Sequence, residues 1–291
     1  MAMADIGISV ALLTPFTAAG AIDTALMARH AKGVITQSAR GVTLFGTTGE
    51  GASIALTERP AVYRAVLDQG IAPAQIFVGI CATSLGDALA QIEQAMAFGI
   101  ETFLILPPFY FPAPGDVGLR DWHEQVFAQA DPRAKFILYH IPQLTTVPLS
   151  FDLVTGLRAA HPDRVIAIKD SSGDWSNTER LLKQGNVPVL VGDERLLHRA
   201  IPLGAVGSIC GMSNLYPARL SRLFVTAKED IVLSREVDAV VAGPVVPALK
   251  ALMVAQTGND TWAHLRAPLS PLPDQTRAML FDRCETAQAD V

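Results

Sequence analysis

One lysine of the 291-residue sequence stands where its amine could act as a nucleophile. Lys169 ends the apolar run 165–168, which has the composition of a buried strand. Burying an ammonium in such surroundings is costly, and desolvation favours the uncharged amine. An uncharged amine attacks a ketone to give a carbinolamine and then an imine. Position alone leaves a structural ion pair, with Asp170 or Asp193 as the partner, as an equal alternative.

The other five lysines have ordinary positions in the sequence. Lys135 precedes a predicted strand at the opposite rim of the sheet. The remaining four lie in helical stretches, where a solvated side chain is expected: Lys32, Lys183, Lys228 and Lys250. Lys169 is therefore the single candidate for amine chemistry.

Hydroxyl groups near the ends of two other predicted strands could serve the same chemistry. Tyr139 ends the strand before Lys169, and a phenol beside the amine can relay a proton. Thr47 and Thr48 lie between glycines ahead of a helix, where hydroxyls and backbone N–H groups suit a small carboxylate. An aromatic rim residue and a plain turn are the alternative interpretations. His140 should point away from this group, because side chains alternate along a strand.

The sequence offers no ligand set for a metal ion. Its six histidines show neither HxxxH nor HxxE spacing, and no cluster of Asp, Glu and His suggests a site. Residues 46–50 also make a poor phosphate loop, because no Gly-Lys-Ser or Gly-Lys-Thr follows them. We therefore expect no bound metal.

Short β-branched runs alternate with longer amphipathic stretches along the chain. The predicted strands are residues 8–13, 41–45, 76–81, 102–106, 136–140, 165–169, 187–191 and 205–210. The predicted helices among them are residues 23–38, 57–68, 84–98, 119–130, 150–160, 176–183, 194–201 and 217–228. The strands are apolar throughout, as expected where helices cover both faces of a parallel sheet.

This alternation predicts an α/β fold, the (β/α)8 TIM barrel, in which the carboxyl ends of the strands meet at one mouth. The candidate amine and hydroxyls would then face one cavity. Residues 229–291 predict further helices at 234–241, 247–256 and 273–287, packed on the outside of the barrel. Because no linker rich in Gly and Ser separates them, we expect a single domain over 1–291, with the barrel at about 1–228 and a C-terminal helical extension.

Composition argues against several classes of partner. The net charge is −5 and the basic residues are scattered, so nucleic acid is not expected. The N-terminus lacks the basic region of a signal peptide, and the apolar segment 237–255 is interrupted by glycine, prolines and charges, so we expect no membrane partner. Three cysteines without CxxC pairing suit a reducing compartment, which predicts a cytoplasmic protein.

Five short motifs together resemble the dihydrodipicolinate synthase / N-acetylneuraminate lyase superfamily. They are TPF at 14–16, GTTGE at 46–50, PPFY at 107–110, YHIP at 139–142 and IKDSSG at 168–173, in the right order and spacing between residues 6 and 225. The resemblance implies a pyruvate-handling class I aldolase, lyase or dehydratase without metal or organic cofactor. It also implies a homotetramer built as a dimer of dimers.

The resemblance further implies a role for each matching residue. Lys169 corresponds to the Schiff-base lysine and Tyr139 to the proton-relay tyrosine. Thr47 corresponds to the threonine that links the relay, and Thr48 to the threonine that binds the pyruvate carboxylate. Tyr110 corresponds to a tyrosine that, in synthase members, crosses the dimer interface to complete a neighbour's relay.

Two departures from the family pattern bear on the substrate. Synthases carry an arginine two residues after the motif matched by YHIP, and it holds the carboxylate of aspartate semialdehyde. Leu144 occupies that position here, and a leucine cannot replace a bidentate guanidinium. Cys81 stands where the lysine-feedback site usually has an asparagine. Both departures argue against the lysine-biosynthetic synthase.

Leu144 together with the run Gly192-Asp193-Glu194 is closer to the sialic-acid lyases, in which the acidic pair binds sugar hydroxyls. The lyases usually carry serine where this chain has Thr47, and acidic residues also favour helix N-termini for structural reasons. The further substrate-binding candidates lie at the ends of the sixth, seventh and eighth predicted strands: Ser171, Gly192, Asp193, Glu194 and Ile209.

The sequence thus predicts a Schiff-base lyase or aldolase that acts on pyruvate or a 2-keto-3-deoxy sugar acid, with an aldehyde as second partner. A 2-keto-3-deoxy acid dehydratase and a 4-hydroxy-tetrahydrodipicolinate synthase are the alternatives within this chemistry. A non-catalytic barrel that binds a small acid would have lost the lysine or the tyrosine. A metal-dependent aldolase would need ligand clusters that the sequence lacks.

Overall fold

The chain forms a closed parallel barrel. A computed structural model describes residues 6–289. The strands are β1 (Gly7–Ala11), β2 (Gly41–Leu44), β3 (Ile76–Ile80), β4 (Thr102–Ile105), β5 (Lys135–His140), β6 (Val165–Asp170), β7 (Val189–Val191) and β8 (Gly207–Cys210). Each strand pairs in parallel with the next, and β8 pairs with β1 to close the sheet. The predicted TIM barrel is confirmed, and each strand overlaps its predicted range.

Helices connect successive strands on the outside of the barrel. They are α1 (Thr24–Thr36), α2 (Arg59–Leu67), α3 (Leu85–Met96), α4 (Gly115–Gln129), α5 (Pro142–Thr145), α6 (Phe151–Ala160), α7 (Trp175–Gln184), α8 (Glu194–Ala200) and α9 (Pro217–Thr226). The first turn of α4 was not predicted, because its residues are exposed and carry no apolar pattern. The single turn α5 is too short to show a periodicity at all.

Several polar residues at the ends of the strand-to-helix loops act as helix caps. The side chain of Ser84 accepts a hydrogen bond from the Asp87 N–H, and the side chain of Ser150 accepts one from the Leu153 N–H. Asp23 caps α1 in the same way. Each such cap stabilises its helix by about 1 kcal/mol. The polar turns between apolar runs therefore set where the helices begin.

Apolar side chains fill the barrel on both sides of its sheet. Residues of alternate register point inwards and form one cluster: Ala11, Phe77, Leu104, Ile137, Ala167, Leu190 and Ile209. Their neighbours, such as Val10, Phe136 and Ile168, point outwards and pack beneath the helices. Burial on both faces explains why the strands read as continuous apolar runs.

Three more helices follow the barrel: α10 (Ile231–Val241), α11 (Val245–Thr257) and α12 (Asp274–Ala289). Leu233 and Val237 of α10 and Leu249 of α11 share an apolar cluster with Ile8 of β1 and Leu197 of α8. The predicted C-terminal helices are therefore present and pack on the barrel. Within residues 6–289, every helix is too short or too polar to cross a membrane.

The prediction for Lys250 was wrong. This side chain lies on the packed face of α11 with 1% of its surface exposed, and it forms an ion pair with Glu50. Its amine also donates to the His264 carbonyl at 2.6 Å, while the second Glu50 oxygen accepts from the Arg266 N–H at 3.0 Å. Burial lowers the pKa of Lys250, which the nearby Glu50 carboxylate opposes. The C-terminal segment is thus tied to the loop after β2.

Removing one partner of this pair should destabilise the protein. We expect Lys250→Met to lower the free energy of unfolding by about 3–5 kcal/mol, because it leaves a buried carboxylate without its counter-ion. The double variant Glu50→Gln with Lys250→Met should recover most of that loss, since no buried charge remains. Urea unfolding followed by circular dichroism measures both. The exposed Lys228→Met is the control, with an expected change within about 0.5 kcal/mol. Equal losses for Lys228→Met and Lys250→Met would contradict this assignment.

The buried side chain of His123 makes the free energy of unfolding depend on pH. It is fully buried in α4, where its Nδ1–H donates to the Leu119 carbonyl at 2.7 Å, and burial lowers its pKa from 6.5 to about 4. Between these two values the unfolded chain binds the extra proton, so stability should fall as pH falls from 6.5 to about 4. The slope is at most about 1.4 kcal/mol per pH unit.

Replacing the histidine tests this dependence. We expect His123→Leu to reduce the difference in unfolding free energy between pH 7 and pH 5, measured by urea titration, because one of the buried histidines is gone while His30 and His140 remain. A variant that loses stability as steeply as the parent over this interval would show that other groups cause the effect.

Candidate functional site

Lys169 and Tyr139 lie side by side at the carboxyl ends of β6 and β5. The strand register pairs the two residues directly. The Lys169 Nζ donates to the Tyr139 hydroxyl at 3.2 Å and lies 4.2 Å from the centre of its ring. Both side chains are buried, with 5% and 3% of their surfaces exposed. The predicted pairing of amine and phenol is therefore present.

An irregularity lower in the same strands creates this alignment. Phe136 pairs with Val165, but the next residue, Ile137, pairs with Ala167, so Ile166 is one extra residue in β6. An extra residue shifts the following side chains to the opposite face of the sheet. Without it, Lys169 would lie opposite His140 and point out of the barrel.

The loop after β2 brings a second hydroxyl to the phenol. Thr47 Oγ1 lies 3.4 Å from the Tyr139 hydroxyl, and the half-buried Thr48 follows it. Phe45 before the loop and Glu50 after it both have positive φ, at 56° and 55°. Such backbone strain in a residue other than glycine persists only where the surrounding structure enforces it.

Close packing enforces the turn at Phe45. The Phe45 carbonyl approaches Gly79 of β3 so closely that a Cβ there would stand 2.4 Å from its oxygen. The buried Arg59 lies over the Phe45 ring at 4.9 Å and donates to the Gly79 and Gly51 carbonyls. The Arg59 guanidinium thus supports the loop that carries Thr47 and Thr48.

Lys169 does not form the ion pair that the sequence left open. The Asp170 carboxylate points to α7, where it accepts hydrogen bonds from Asn177 and Thr178. Asp193 binds the guanidinium of Arg195 at 2.6 Å. Across residues 6–289, no carboxylate lies within ion-pair distance of the Lys169 amine.

Three of the remaining candidates, Ser171, Gly192 and Ile209, lie at the ends of β6, β7 and β8. Ile209 of β8 belongs to the inward-facing cluster that includes Tyr139. Gly192 follows β7 and faces Ser171, whose hydroxyl would stand 1.9 Å from any Cβ at that position. The Gly192 N–H donates to the Asp170 carbonyl at 2.8 Å, which fixes the two strand ends together. Only a glycine allows this close approach.

The acidic pair already has partners within the chain. Asp193 caps α8 and binds Arg195, which also reaches Asp238. Glu194 is buried and accepts from the Met212 N–H at 2.8 Å, and burial raises its pKa. The structure brings neither carboxylate to the Lys169 amine by a hydrogen bond or ion pair among the described residues. Their role as ligands of substrate hydroxyls stays a prediction.

Tyr110 lies apart from the amine and its two hydroxyl neighbours. It belongs to the loop between β4 and α4, has 77% of its surface exposed, and contacts the ring of the equally exposed Phe111. In the part of the chain that the structure describes, no hydrogen bond joins it to Tyr139 or Thr47. Its predicted role requires a second chain and stays a prediction.

His140 packs outside the barrel as expected. Its Nδ1 accepts a hydrogen bond from the Leu149 N–H at 3.1 Å, and burial lowers its pKa. A search of residues 6–289 finds no group of three or more His, Cys, Asp or Glu side chains with the geometry of a metal site.

The sequence interpretation missed the buried ion pair beneath the threonine loop. Lys250 lies on the same helical face as Val246, Leu249 and Met253, all of them buried. This spacing of three and four residues placed the lysine on the apolar face, which is the signal that could have revealed it. The sequence around Arg59 has no comparable pattern that would predict its burial.

A cavity of about 490 Å³ opens at this mouth of the barrel. Tyr139 and Thr47 form part of its wall, with Leu144 at its edge. An amine, a phenol and an alcohol in one hydrogen-bonded row, next to a cavity, can form an imine and move protons to and from it.

The chain matches the model of the dihydrodipicolinate synthetase family over residues 5–286. It is 31% identical to a protein of Chloroflexus aurantiacus named as an uncharacterized DapA-like lyase, over 94% of each chain. It is 28% identical to a 4-hydroxy-tetrahydrodipicolinate synthase of Parasynechococcus marenigrum, over 93% of this chain and 91% of that one.

Solved structures agree with these relatives. Dihydrodipicolinate synthase from Agrobacterium tumefaciens superposes with a TM-score of 0.93 at 38% identity, over 97% of this chain and 99% of that one. The fold of the Escherichia coli prophage protein YagE, solved with pyruvate, matches with a TM-score of 0.86 at 22% identity, over 97% and 98%. The chain therefore belongs to the dihydrodipicolinate synthetase family and is one of its lyases.

Proposed function

We propose that the protein forms a Schiff base between Lys169 and a 2-oxo acid, either pyruvate or a 2-keto-3-deoxy sugar acid. The observation that carries this proposal is the row of Lys169 Nζ, Tyr139 hydroxyl and Thr47 Oγ1, joined at 3.2 and 3.4 Å. No carboxylate among residues 6–289 holds the amine in an ion pair, so its lone pair is available for attack once the proton is lost.

The first half of the reaction makes the imine. Nζ attacks the ketone carbon, and the ketone oxygen takes a proton to become the carbinolamine hydroxyl. That hydroxyl leaves as water after a second protonation, and the nitrogen lone pair forms the C=N bond. Tyr139 is placed to deliver and recover these protons, and Thr47 keeps its hydroxyl oriented. Thr48 and the backbone N–H groups of its loop bind the substrate carboxylate.

The second half uses the protonated imine as an electron sink. When the hydroxyl on C4 loses its proton, the C3–C4 bond breaks, its electrons flow to the iminium nitrogen, and an aldehyde departs. The enamine left on Lys169 is protonated at C3 and hydrolysed to pyruvate. In the dehydratase variant the iminium instead loses its C3 proton to become an enamine, and the enamine electrons then expel the C4 hydroxyl, which takes a proton and leaves as water. Ser171, Gly192 and Ile209, at the ends of β6, β7 and β8, are further candidates for contact with the substrate.

Leu144 weighs against the synthase reaction in this proposal. The curated relatives at 28% identity include proteins named 4-hydroxy-tetrahydrodipicolinate synthase. The Leu144 side chain, at the cavity edge and 61% exposed, supplies no cation for the carboxylate of aspartate semialdehyde. The acidic pair Asp193 and Glu194 remains the candidate for substrate hydroxyls.

We further propose a homotetramer, built from dimers, in the cytoplasm. Tyr110 and Phe111 form an exposed aromatic pair suited to burial against a second copy. Tyr110 of each protomer would complete the proton relay of its neighbour. The three cysteines are free thiols, which fits a reducing compartment.

Borohydride reduction in the presence of pyruvate tests the Schiff base directly. Reduction turns the imine into a stable secondary amine, so mass spectrometry should find the adduct on the peptide that contains Lys169. Lys169→Ala should give no adduct. Tyr139→Phe should form it with a rate lowered by about 10²–10⁴-fold, because the proton relay is lost. An adduct on another lysine, or none in the active parent protein, would refute the assignment.

Mixing two inactive variants tests the role of Tyr110 across an interface. We expect Lys169→Ala and Tyr110→Phe each to lose most activity. In a mixed dimer, one site keeps its own lysine and receives the partner's intact tyrosine. Random reassembly of equal amounts should therefore restore about one quarter of the sites.

The control is a mixture of two single variants, Lys169→Ala and Tyr139→Phe, because these two residues belong to the site of one chain. A mixed dimer of these two variants would contain an intact site only if Lys169 and Tyr139 of one site came from different protomers. Recovery with this control, or no recovery with Tyr110→Phe, would contradict the shared site.

A further inference from the structure

The cavity at the barrel mouth is bounded mainly by apolar side chains. On the barrel side its wall comes from the loop after β2 and the ends of β3 to β5, and on the other side from the segments around α11 and before α12. Its volume of about 490 Å³ falls within the roughly 300–1,000 Å³ of small-molecule sites. The wall residues that matter here are Leu106, Ile141, Leu144, Val246 and Leu269.

Within residues 6–289, no free charge faces this cavity. Among the described residues that line it, Glu50 is the one Asp, Glu, Lys, Arg or His, and its two oxygens are taken by Lys250 and by the Arg266 N–H. A second carboxylate on the substrate would find no cation here. Burying it without one is unfavourable.

Few hydroxyl partners are available among the described lining residues: the Ser53 hydroxyl is uncommitted, whereas the Tyr139 hydroxyl contacts Lys169 and Thr47. The Thr145 hydroxyl is already engaged with the carbonyls of Ile141 and Val147. Thr47 is used in the contact with Tyr139. A polyhydroxylated chain in this space would lose water without gaining equivalent hydrogen bonds, which disfavours it.

We infer that the aldehyde partner of this enzyme carries an uncharged, apolar body, either an alkyl chain or an aromatic ring, which occupies this cavity. The inference rests on the proposed Schiff-base function and selects its pyruvate branch over the 2-keto-3-deoxy sugar acids, whose hydroxyls this cavity does not match. The aldehyde carbon faces Tyr139, whose hydroxyl contacts the Lys169 amine, and the apolar body lies along Leu144 towards Val246 and Leu269. The enzyme then selects aldehydes whose apolar part becomes buried in this cavity, and Leu144 is a specificity-determining residue.

The coupling step balances without a further reactant. The C3 carbon of the Lys169-bound enamine bonds to the aldehyde carbon, and the C=O electrons move to the aldehyde oxygen. That oxygen takes a proton through Tyr139 and becomes the C4 hydroxyl, while the enamine nitrogen becomes an iminium. Water then releases a 4-hydroxy-2-oxo acid and restores the amine. Cleavage is the same sequence in reverse.

Initial rates with pyruvate and a panel of aldehydes test the inference. The panel is propanal, butanal, hexanal and benzaldehyde, against D-erythrose and aspartate semialdehyde. We expect kcat/KM to rise by about fourfold for each methylene added from propanal to hexanal, mainly through KM, because each is buried. Hexanal and benzaldehyde should exceed D-erythrose by about tenfold or more. A preference for D-erythrose or aspartate semialdehyde would overturn the inference.

The variant Leu144→Arg tests whether this part of the cavity wall contacts the aldehyde. This change should lower kcat/KM for hexanal by about tenfold or more, since it places a charge beside the apolar body. Val225→Arg, at an exposed site on α9, is the matched control and should leave the hexanal rate as in the parent. Equal rates for hexanal in both variants would remove Leu144 from the aldehyde site.

Borohydride trapping with pyruvate alone, run on the same proteins, separates the two proposals. Failure to trap Lys169 in the parent protein would remove the proposed function and this inference together. Normal trapping on Lys169 without any preference for apolar aldehydes would overturn only the inference about the partner. Trapping in Leu144→Arg also shows that this variant retains a folded site.

Discussion

The register between β5 and β6 is the constraint on which the candidate site depends. One extra residue, Ile166, shifts the upper half of β6 so that Lys169 lies opposite Tyr139 and both point into the barrel. In a strand with a side-chain period of two, a shift of one residue decides which face every later side chain occupies. The amine meets the phenol because of this irregularity, and the proposed proton relay depends on it.

A second constraint holds the threonine loop in place. The loop begins and ends in strained backbone, at Phe45 and Glu50, and strain of this kind persists only where surrounding contacts outweigh it. Arg59 supports the first end, and the buried pair of Glu50 and Lys250 supports the second. The C-terminal helices thus act on the geometry of the mouth as well as on the packing of the barrel.

Much of the barrel could be predicted, because its strands are apolar runs of ordinary length and its turns carry cap residues. Lys169 stood out for the same reason that it is useful, since a charged residue inside a strand has no structural need to be there. Its alignment with Tyr139 was inferred from strand order, yet the irregularity at Ile166 that produces it leaves no mark in the residue types.

Other features of the site depend on contacts between distant segments. Lys250 was taken as solvated because most lysines on helices are, although its spacing placed it on the apolar face. The Glu194 carboxylate accepts a hydrogen bond from the Met212 N–H, in a loop that sequence spacing does not connect to it, while its role toward substrate stays a prediction. The position of Tyr110 in a working site depends on a second chain, which one sequence cannot describe.

The link between Glu50 and Arg266 spans 216 residues of chain. During translation the barrel strands emerge well before Lys250 and Arg266, so the nascent polypeptide carries a carboxylate whose counter-ion has not yet been synthesised. The contacts that hold Glu50 at the end of the threonine loop can therefore form only after residues up to Arg266 have been made. A chain that stops short of Arg266 would contain Lys169 and Tyr139 but lack the contacts that hold the neighbouring threonine loop at Glu50.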